Sequence, residues 1–184
     1  LTADGVDRVS LRAAIMHANP IAAPTIVVIP AGVYTLSIPG VDPDASPNTA
    51  IGDLDLMSAS GITLIGAGAL STVIDAQQLD RVFDVPATAT ASLQGLTIRN
   101  GNAEEGGGIR NAGTLSLDSV LVTGNLAERA GGGVFSSGIL TITDSSLENN
   151  RTVSRFFGVG GGGLAVSGDP NGTSGQTTIT NTSF

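Results

Sequence analysis

The stretch TLSLDSVLVTGN at residues 114–125 aligns without a gap with ILTITDSSLENN at residues 139–150, 25 residues further along the chain. Apolar and polar residues alternate through the first half of both copies, so that the two leucines of LSL correspond to Leu140 and Ile142. A period of two is typical of a β-strand with one buried face and one outward face. The two copies therefore predict equivalent strands in successive structural repeats.

The same spacing recurs on both sides of this stretch. Three glycine triplets, each followed by an aliphatic residue, recur at 106–109, 131–134 and 161–164. A column of asparagines, Asn100, Asn125 and Asn150, has the same spacing of 25 residues. A glycine triplet indicates a corner with a positive φ or a close backbone approach, and stacked asparagines can form an amide ladder. Insertions near 155–157 and at 168–175 delay the next copy, which begins at 178–184.

A unit of this length cannot bury its own apolar face, whereas stacked units bury a continuous core. Each strand then pairs in parallel with its copy about 4.8 Å away. We expect Leu115 and Leu117 to point inward beneath Leu140 and Ile142, while Ser116 and Asp118 point outward beneath Thr141 and Thr143. The crossover rule for parallel strands favours a right-handed connection. The prediction is an all-β fold, a single-stranded right-handed parallel β-helix (β-solenoid).

The beginning of the chain has a different pattern. Ser10 can cap a helix in which Leu11, Ile15 and Ala18 recur at helical spacing before Asn19-Pro20 ends it. Such a helix would cap the open end of the solenoid, where strand edges would otherwise be exposed. We predict one domain over 1–184, with a helical cap at 1–24, irregular early coils at 25–100 and regular coils of about 25 residues at 101–184, truncated at the C-terminus.

Composition excludes several classes of protein. The 184 residues include 26 Gly and no Cys, and all eight basic residues are Arg in a chain of net charge −8. Disulfides and cysteine-zinc sites are therefore impossible, and nucleic-acid binding is not expected without clustered cations. No apolar run approaches the ~20 residues of a membrane-spanning helix, so no membrane insertion by this segment is expected. Because no initiator Met is present, we expect a piece of a longer chain.

Several short motifs, in their order, resemble the CSLREA domain of bacterial exported proteins. They are SLRAAI at 10–15, AGVYTL at 31–36, GDLDL at 52–56, ITLIGAG at 62–68, TVID at 72–75 and DRVF at 80–83. Val9 and Ala13 stand where the name motif has Cys and Glu. The glycine triplets, with VTGN at 122–125 and LENN at 147–150, look like repeats of polymorphic outer-membrane-type proteins. The resemblance implies a secreted or cell-surface right-handed parallel β-helix, a fold that also hosts polysaccharide lyases and hydrolases.

Carboxylates spaced by one repeat are the candidate catalytic residues. Asp55, Asp80 and Glu105 lie 25 residues apart, and Arg81 is adjacent to Asp80. Stacked coils could bring such carboxylates within the ~5–10 Å used by glycoside hydrolases, and an arginine could bind a uronate. The alternative is that all four are solvated turn residues whose register has been shifted by loops.

Candidate binding residues follow the same spacing. Arg99, Arg110 and Phe135 could line a sugar-binding wall, with Phe135 one coil above Arg110; scattered surface side chains are the alternative. Glu104 lies one repeat before Arg129, which predicts an ion pair between coils.

No metal site or cofactor is predicted. His17 is the only histidine and is expected on the helix surface. Residues 169–173 alternate oxygen-bearing side chains as a calcium loop does, but the terminal Glu of such a loop is missing, so a polar turn is favoured over a calcium site.

Three functions remain open. The first is a non-catalytic secreted or cell-surface module for adhesion, which would bind a polysaccharide or another surface ligand. The second is a polysaccharide lyase or glycoside hydrolase that uses Asp55, Asp80, Arg81 and Glu105. The third is ice binding, which rests on an outward array of Thr141, Thr143, Thr178 and Thr180 and is weakened because Ser116 and Asp118 interrupt it.

Overall fold

The computed structural model describes residues 9–40, 50–153, 160–168 and 175–184. These ranges contain one helix, α1 (Leu11–Ala18), and nineteen short strands. The strands are β1 (Thr25–Ile29), β2 (Gly32–Thr35), β3 (Leu54–Asp55), β4 (Ile62–Gly66), β5 (Thr72–Asp75), β6 (Phe83–Val85), β7 (Thr90–Gln94), β8 (Thr97–Arg99), β9 (Asn102–Glu105), β10 (Ile109–Asn111), β11 (Thr114–Asp118), β12 (Leu121–Thr123), β13 (Leu126–Ala130), β14 (Val134–Ser136), β15 (Ile139–Thr143), β16 (Ser146–Glu148), β17 (Arg151–Thr152), β18 (Leu164–Val166) and β19 (Thr177–Thr180).

The strands form four sheets, and every pairing between described strands is parallel. Sheet 1 has the order β1-β4-β7-β11-β15-β19, sheet 2 β2-β5-β8-β12-β16, sheet 3 β9-β13-β17 and sheet 4 β3-β6-β10-β14-β18. From β7 to β18 the chain visits sheets 1, 2, 3 and 4 in turn and then returns to sheet 1. We call one such passage a coil. The predicted all-β parallel architecture is confirmed, and it is solenoid-like because each strand pairs with its counterpart in the next coil.

The register of sheet 1 confirms the alignment of the two copies. Leu115 pairs with Leu140 and Leu117 with Ile142, and all four side chains are buried. The preceding pair of strands is offset differently, since Thr90 pairs with Thr114 only 24 residues away. One coil is therefore a residue shorter than the next, and patterns that assume a uniform period of 25 lose register there.

Inward columns of aliphatic side chains form the core. In sheet 2, buried side chains are stacked from Ile74 through Ile98 and Val122 to Leu147. Sheet 4 stacks Ile109 beneath Val134, as predicted, and Leu164 above them is half-buried. Burying each side chain of this kind stabilises the fold by about 1.5–3 kcal/mol, so every added coil adds to the stability of the stack.

The glycine triplets lie at corners, as predicted. Gly106 and Gly131 have φ angles of 63° and 64°, in the left-handed region that glycine tolerates best. The next position needs glycine for a different reason, because a Cβ on Gly107 would collide with the carbonyl oxygen of Leu126. The triplet therefore combines a sharp turn with close contact between neighbouring segments.

The predicted asparagine column is only partly correct. The Asn125 side chain donates to Oδ1 of Asn150 (2.9 Å) and accepts from the backbone N–H of Gly101 (2.8 Å). Asn100 lies outside this ladder and instead donates to Asp75. The shorter coil explains the error, because it aligns Gly101, and not Asn100, with Asn125.

Helix α1 is confirmed, and its contacts fix it to the early coils. The Ser10 hydroxyl accepts from the backbone N–H of Ala13 (3.2 Å), and Leu11, Ile15 and Ala18 are buried. The Arg12 guanidinium donates to the carbonyls of Ile51, Gly52 and Asp53. At the end of the helix Asn19 is hydrogen-bonded with the backbone on both sides of Leu56, at Asp55 and Met57. The helix therefore packs over strand β3 and the residues that lead into it.

Replacing Gly107 with alanine is expected to lower the free energy of unfolding by about 2 kcal/mol or more, because the new methyl group overlaps backbone atoms that cannot easily move. Chemical denaturation measures the effect. Gly160→Ala is the matched control, since a Cβ there meets nothing within 4 Å, and its effect should stay within about 0.5 kcal/mol. Equal effects of the two variants would contradict the close-approach argument.

Replacing Asn125 with alanine is expected to cost about 1–3 kcal/mol, because the buried N–H of Gly101 would lose its acceptor. Asn102→Ala, in the neighbouring coil but outside the ladder, serves as the comparison and should cost much less. Denaturant titration of both variants checks the prediction. A larger loss for Asn102→Ala than for Asn125→Ala would show that the ladder does not stabilise the stack.

Candidate functional site

The predicted catalytic residues are not stacked in the way that their spacing suggests. Asp55 pairs in register with Asp84 of β6, not with Asp80. Asp80 lies just before β6 and outside the strands, while Glu105 belongs to β9 in sheet 3 and aligns with Ala130. Irregular early coils shift the register by a few residues, and this is sufficient to separate the three acids into different columns.

Most of these residues instead belong to a cluster of charges beside α1, here called the ionic cluster. Arg81 Nη1 lies 3.3 Å from Asp53 Oδ2 and 3.5 Å from Asp84 Oδ1. Arg110, one coil further on, reaches the same Oδ1 of Asp84 at 3.2 Å. The remaining members influence these groups through their charge, so that the cluster comprises Arg12, Asp53, Asp55, Asp80, Arg81, Asp84 and Arg110.

The centre of the ionic cluster is closed to solvent. Asp53, Asp55 and Asp84 are 2%, 1% and 2% exposed, and Arg81 is 5% exposed. Asp55 faces away from the core residue Leu54, as strand alternation predicts, but α1 packs against this strand. A polysaccharide has no access to carboxylates buried to this degree. The ion pairs of Arg81 with Asp53 and of Arg110 with Asp84 join neighbouring coils, and removing one partner of a buried pair is expected to destabilise the protein.

Asp53 lies in a strongly perturbed environment within the cluster. Burial raises the pKa of Asp53 to about 8, Arg81 opposes this rise, and the carboxylates of Asp55, Asp80 and Asp84 add to it. Among the residues that the structure describes, none hydrogen-bonds to its Oδ1 atom. The sequence gives Asp53 no distinguishing signal, because its burial depends on residues far away in the chain.

The predicted sugar-binding wall is divided between two sheets. Arg110 and Phe135 are neighbours in sheet 4, as predicted, and both are half-buried. Arg99 lies in sheet 2, where its Nε atom donates to Asp75 at 2.8 Å. The three side chains therefore do not form one surface.

Two smaller predictions concern outward side chains. The ion pair between coils is confirmed, since Arg129 Nη1 lies 2.9 Å from Glu104 Oε1 and both side chains are exposed. Thr141 and Thr143 pair in register with Thr178 and Thr180. Ser116 and Asp118 occupy the preceding positions of these two columns, as the sequence suggested.

A groove that sequence analysis missed runs along the corner between sheets 1 and 2, and we call it the corner groove. It has a volume of about 890 Å³ and crosses five successive corners of the stack. Its lining residues are Gly68, Ala69, Leu70, Gly95, Ser119, Val120, Leu121, Asp144, Ser145, Ser146, Asn181, Thr182 and Ser183. Leu70 is 94% exposed. Leu121, which also lines the groove, is half-buried, so the groove presents apolar side chains beside a row of polar ones.

Repeated backbone geometry produces this row. Gly95, Ser119, Asp144 and Asn181 all have positive φ angles, of 58°, 55°, 48° and 47°. The same sharp turn thus recurs at four corners, and at the last three of them it places a small polar residue, Ser, Asp or Asn, at equivalent positions. A possible signal in the sequence is the set of Gly, Ser, Asp and Asn residues, which are the types that adopt or tolerate this conformation.

Main-chain groups at the corners already bond to neighbouring coils. The N–H groups of Gly95, Ser119 and Asp144 donate to the carbonyls of Asp118, Thr143 and Thr180 at 3.0–3.2 Å. A ligand would therefore meet side-chain groups in the groove. Several of these are linked in pairs, with Asn181 donating to Asp144 and the hydroxyls of Ser146 and Ser183 lying 2.7 Å apart.

Neither a metal site nor a membrane-crossing helix is found in the described part of the chain. Within it, no three His, Asp or Glu residues are grouped so that they could hold an ion. Residues 169–173, the candidate calcium loop, lie outside the described residues. Helix α1 has eight residues, and no helix of the described residues is long and apolar enough to span a bilayer.

Comparisons with known proteins give no match. The chain matches no protein-family profile, no curated protein sequence and no solved structure.

The raised pKa of Asp53 predicts a specific dependence of stability on pH. Its ordinary value is near 3.9, so the folded protein retains a proton that the unfolded chain has lost between about pH 4 and pH 8. The stability due to this proton is complete below pH 4 and is lost as the pH rises through about 8. Asp53→Asn should therefore reduce the fall in melting temperature between about pH 5 and pH 9.

Asp75→Asn is the control for this experiment, with the opposite sign. Burial acts to raise the pKa of Asp75, but hydrogen bonds from Asn100, Gln77 and Arg99 lower it overall. Its contribution is therefore present above the ordinary pKa and lost as the pH falls. The Asp75 variant should be less stable than the unaltered chain near neutral pH, and its stability should fall less as the pH is lowered. Unchanged alkaline behaviour in the Asp53 variant would contradict the assignment.

Proposed function

We propose that the chain is a right-handed parallel β-helix module, of the kind found in CSLREA-type exported proteins, that binds an extended carbohydrate in the corner groove without catalysing its cleavage. The parallel pairing of successive coils supports the β-helix, and the crossover rule supports its hand. The order of short motifs, from SLRAAI at 10–15 to the glycine triplets, supports the family and, with it, a secreted or cell-surface location.

The composition and length of the corner groove are the main observation in favour of carbohydrate binding. Its side chains offer hydroxyl, amide and carboxylate groups, which can donate to or accept from the hydroxyl groups of a sugar. These groups recur from coil to coil at the spacing of parallel strands, about 4.8 Å. A linear chain of sugars lying along the stack would meet polar side chains at three successive corners, from Ser119 to Ser183.

The main-chain hydrogen bonds at the groove favour a glycan over an extended peptide as its ligand. A peptide that binds as an added strand needs free main-chain groups at a sheet edge. At the corners that line the groove, the N–H groups of Gly95, Ser119 and Asp144 are engaged between coils. Recognition by side chains alone suits a ligand with many hydroxyl groups.

Burial of the ionic cluster favours binding over catalysis. Asp55 and Arg81, two of the residues with suitable chemistry for a lyase or hydrolase, are almost completely buried. Arg81 is also engaged with Asp53 and Asp84. General acid–base catalysis requires a group within hydrogen-bonding reach of the substrate, and the corner groove does not include either residue.

Filling the groove tests the proposal. Ser146→Tyr places a ring on the groove surface from the outward side of β16, and Ser92→Tyr makes the same change on the outward side of β7 in sheet 1. We expect Ser146→Tyr to weaken binding to oligosaccharides at least about tenfold, a loss of about 1.4 kcal/mol, while Ser92→Tyr binds as the unaltered chain does.

Isothermal titration calorimetry with hexasaccharides, chosen from a glycan array, provides the measurement. Melting curves confirm that both variants are folded. Loss of binding only in Ser92→Tyr would move the site to sheet 1, and binding to no glycan on the array would refute the proposed function. Release of reducing ends or unsaturated sugars by the unaltered chain would instead favour an enzyme.

A further inference from the structure

The corner groove carries polar side chains and one sign of charge. Asp144 lines it directly, Asp118 precedes the lining residue Ser119, and Glu148 lies two residues beyond the lining residue Ser146. Oδ1 of Asp118 accepts from the Ser119 hydroxyl at 2.9 Å, and Oε1 of Glu148 accepts from the Ser146 hydroxyl at 2.5 Å. All three carboxylates are thus held at the groove by neutral donors, which leave their negative charge uncompensated.

Positive charge lies elsewhere in the described part of the chain. No arginine lines the groove. Arg12, Arg81 and Arg110 belong to the ionic cluster beside α1, and Arg129 pairs with Glu104 in sheet 3. Arg151 is exposed in β17, also in sheet 3, and the sequence contains no Lys, so Arg99 is the one remaining arginine among the described residues.

Arg99 is the arginine nearest to the groove by register, and it is neutralised. It lies two residues beyond Thr97, the partner of the groove residue Leu121. Its Nε atom donates to Oδ2 of Asp75 at 2.8 Å. An anionic ligand in the groove would therefore face three carboxylates without a compensating arginine from the described residues.

This charge pattern determines which extended glycan fits. A groove of one sign focuses its potential and attracts ligands of the opposite sign, whereas like charges brought together cost free energy. Uronate polymers are therefore disfavoured. Protonated amino groups on the sugars would meet carboxylates at the corners, and ammonium–carboxylate hydrogen bonds are among the stronger ones in proteins.

Resting on the proposed carbohydrate-binding function, we propose that the corner groove selects polysaccharides bearing free, protonated amino groups, that is, unacetylated amino sugars, over neutral glycans and against polyuronates. Asp144 is the central contact, because it lies in the groove itself and between the polar corners of Ser119 and Asn181. Asp118 extends the negative surface to the preceding coil, and Glu148 extends it along β16.

Three hexasaccharides separate charge from shape in the test. Hexameric glucosamine carries protonated amines at about pH 5.5, its fully N-acetylated counterpart is neutral with the same backbone, and hexagalacturonate is anionic. We expect the amine form to bind the 184-residue chain at least about fivefold more tightly than the acetylated form, and hexagalacturonate to bind most weakly. Only the affinity for the amine form should fall steeply when salt rises from about 20 mM to about 500 mM.

A pair of double variants tests the assigned carboxylates. Asp144→Asn with Glu148→Gln retains an acceptor oxygen for Asn181 and for Ser146, but removes two charges from the groove. Glu104→Gln with Glu128→Gln removes two charges from exposed positions in sheet 3. We expect the groove variant to lose at least about fivefold in affinity for the amine form with little change for the acetylated form, and the sheet 3 variant to change either affinity less than twofold.

The possible outcomes distinguish the two proposals. Equal or tighter binding of the acetylated form would overturn the amine selectivity and leave carbohydrate binding in place. Preference for hexagalacturonate, or equal losses in both double variants, would also overturn it. Binding of none of the three hexasaccharides, nor of any glycan on the array, would refute the carbohydrate-binding function together with the selectivity that rests on it.

Discussion

Parallel main-chain hydrogen bonds between neighbouring coils are the constraint on which the rest of the structure depends. The N–H of Ile109 donates to Gly133 at 2.9 Å, and the N–H of Leu121 donates to Leu96 at 3.1 Å. Such bonds cannot form within a single coil, since each strand needs the next coil as its partner. They also keep equivalent residues one above another, so a small set of residue types must satisfy the same environment in coil after coil.

The stacking has different consequences in different columns. Aliphatic residues such as Ile98 and Val122 form a dry core, whereas Asn125 and Asn150 replace packing with hydrogen bonds at a buried corner. Where charged residues occupy one column, register pairs them directly, as with Asp84 and Arg110. Stability and charge placement are therefore properties of the same alignment, and a shift of one residue changes both.

The two polar regions differ in what covers them. Helix α1 and the segment bound by Arg12 pack beside the ionic cluster, so its charges are used internally. At the corner groove, main-chain groups are engaged but several side chains, including Asp144, remain exposed to solvent. Because the described arginines are concentrated away from the groove, the net charge of −8 is unevenly distributed. This separation of charge is the physical basis for the proposed preference for amino sugars.

The sequence by itself determined the properties that depend on local pattern: the alternation at 114–125, the glycine corners, helix α1 and the pairing of Glu104 with Arg129 in the regular coils. It did not determine the register of the early coils, where insertions break the period, and so it aligned Asp55 with Asp80 instead of Asp84. Nor could it reveal the burial of Asp53 or the corner groove. Burial depends on which distant segment packs over a residue, and a groove depends on turns from five coils being brought side by side; only the tertiary structure decides either.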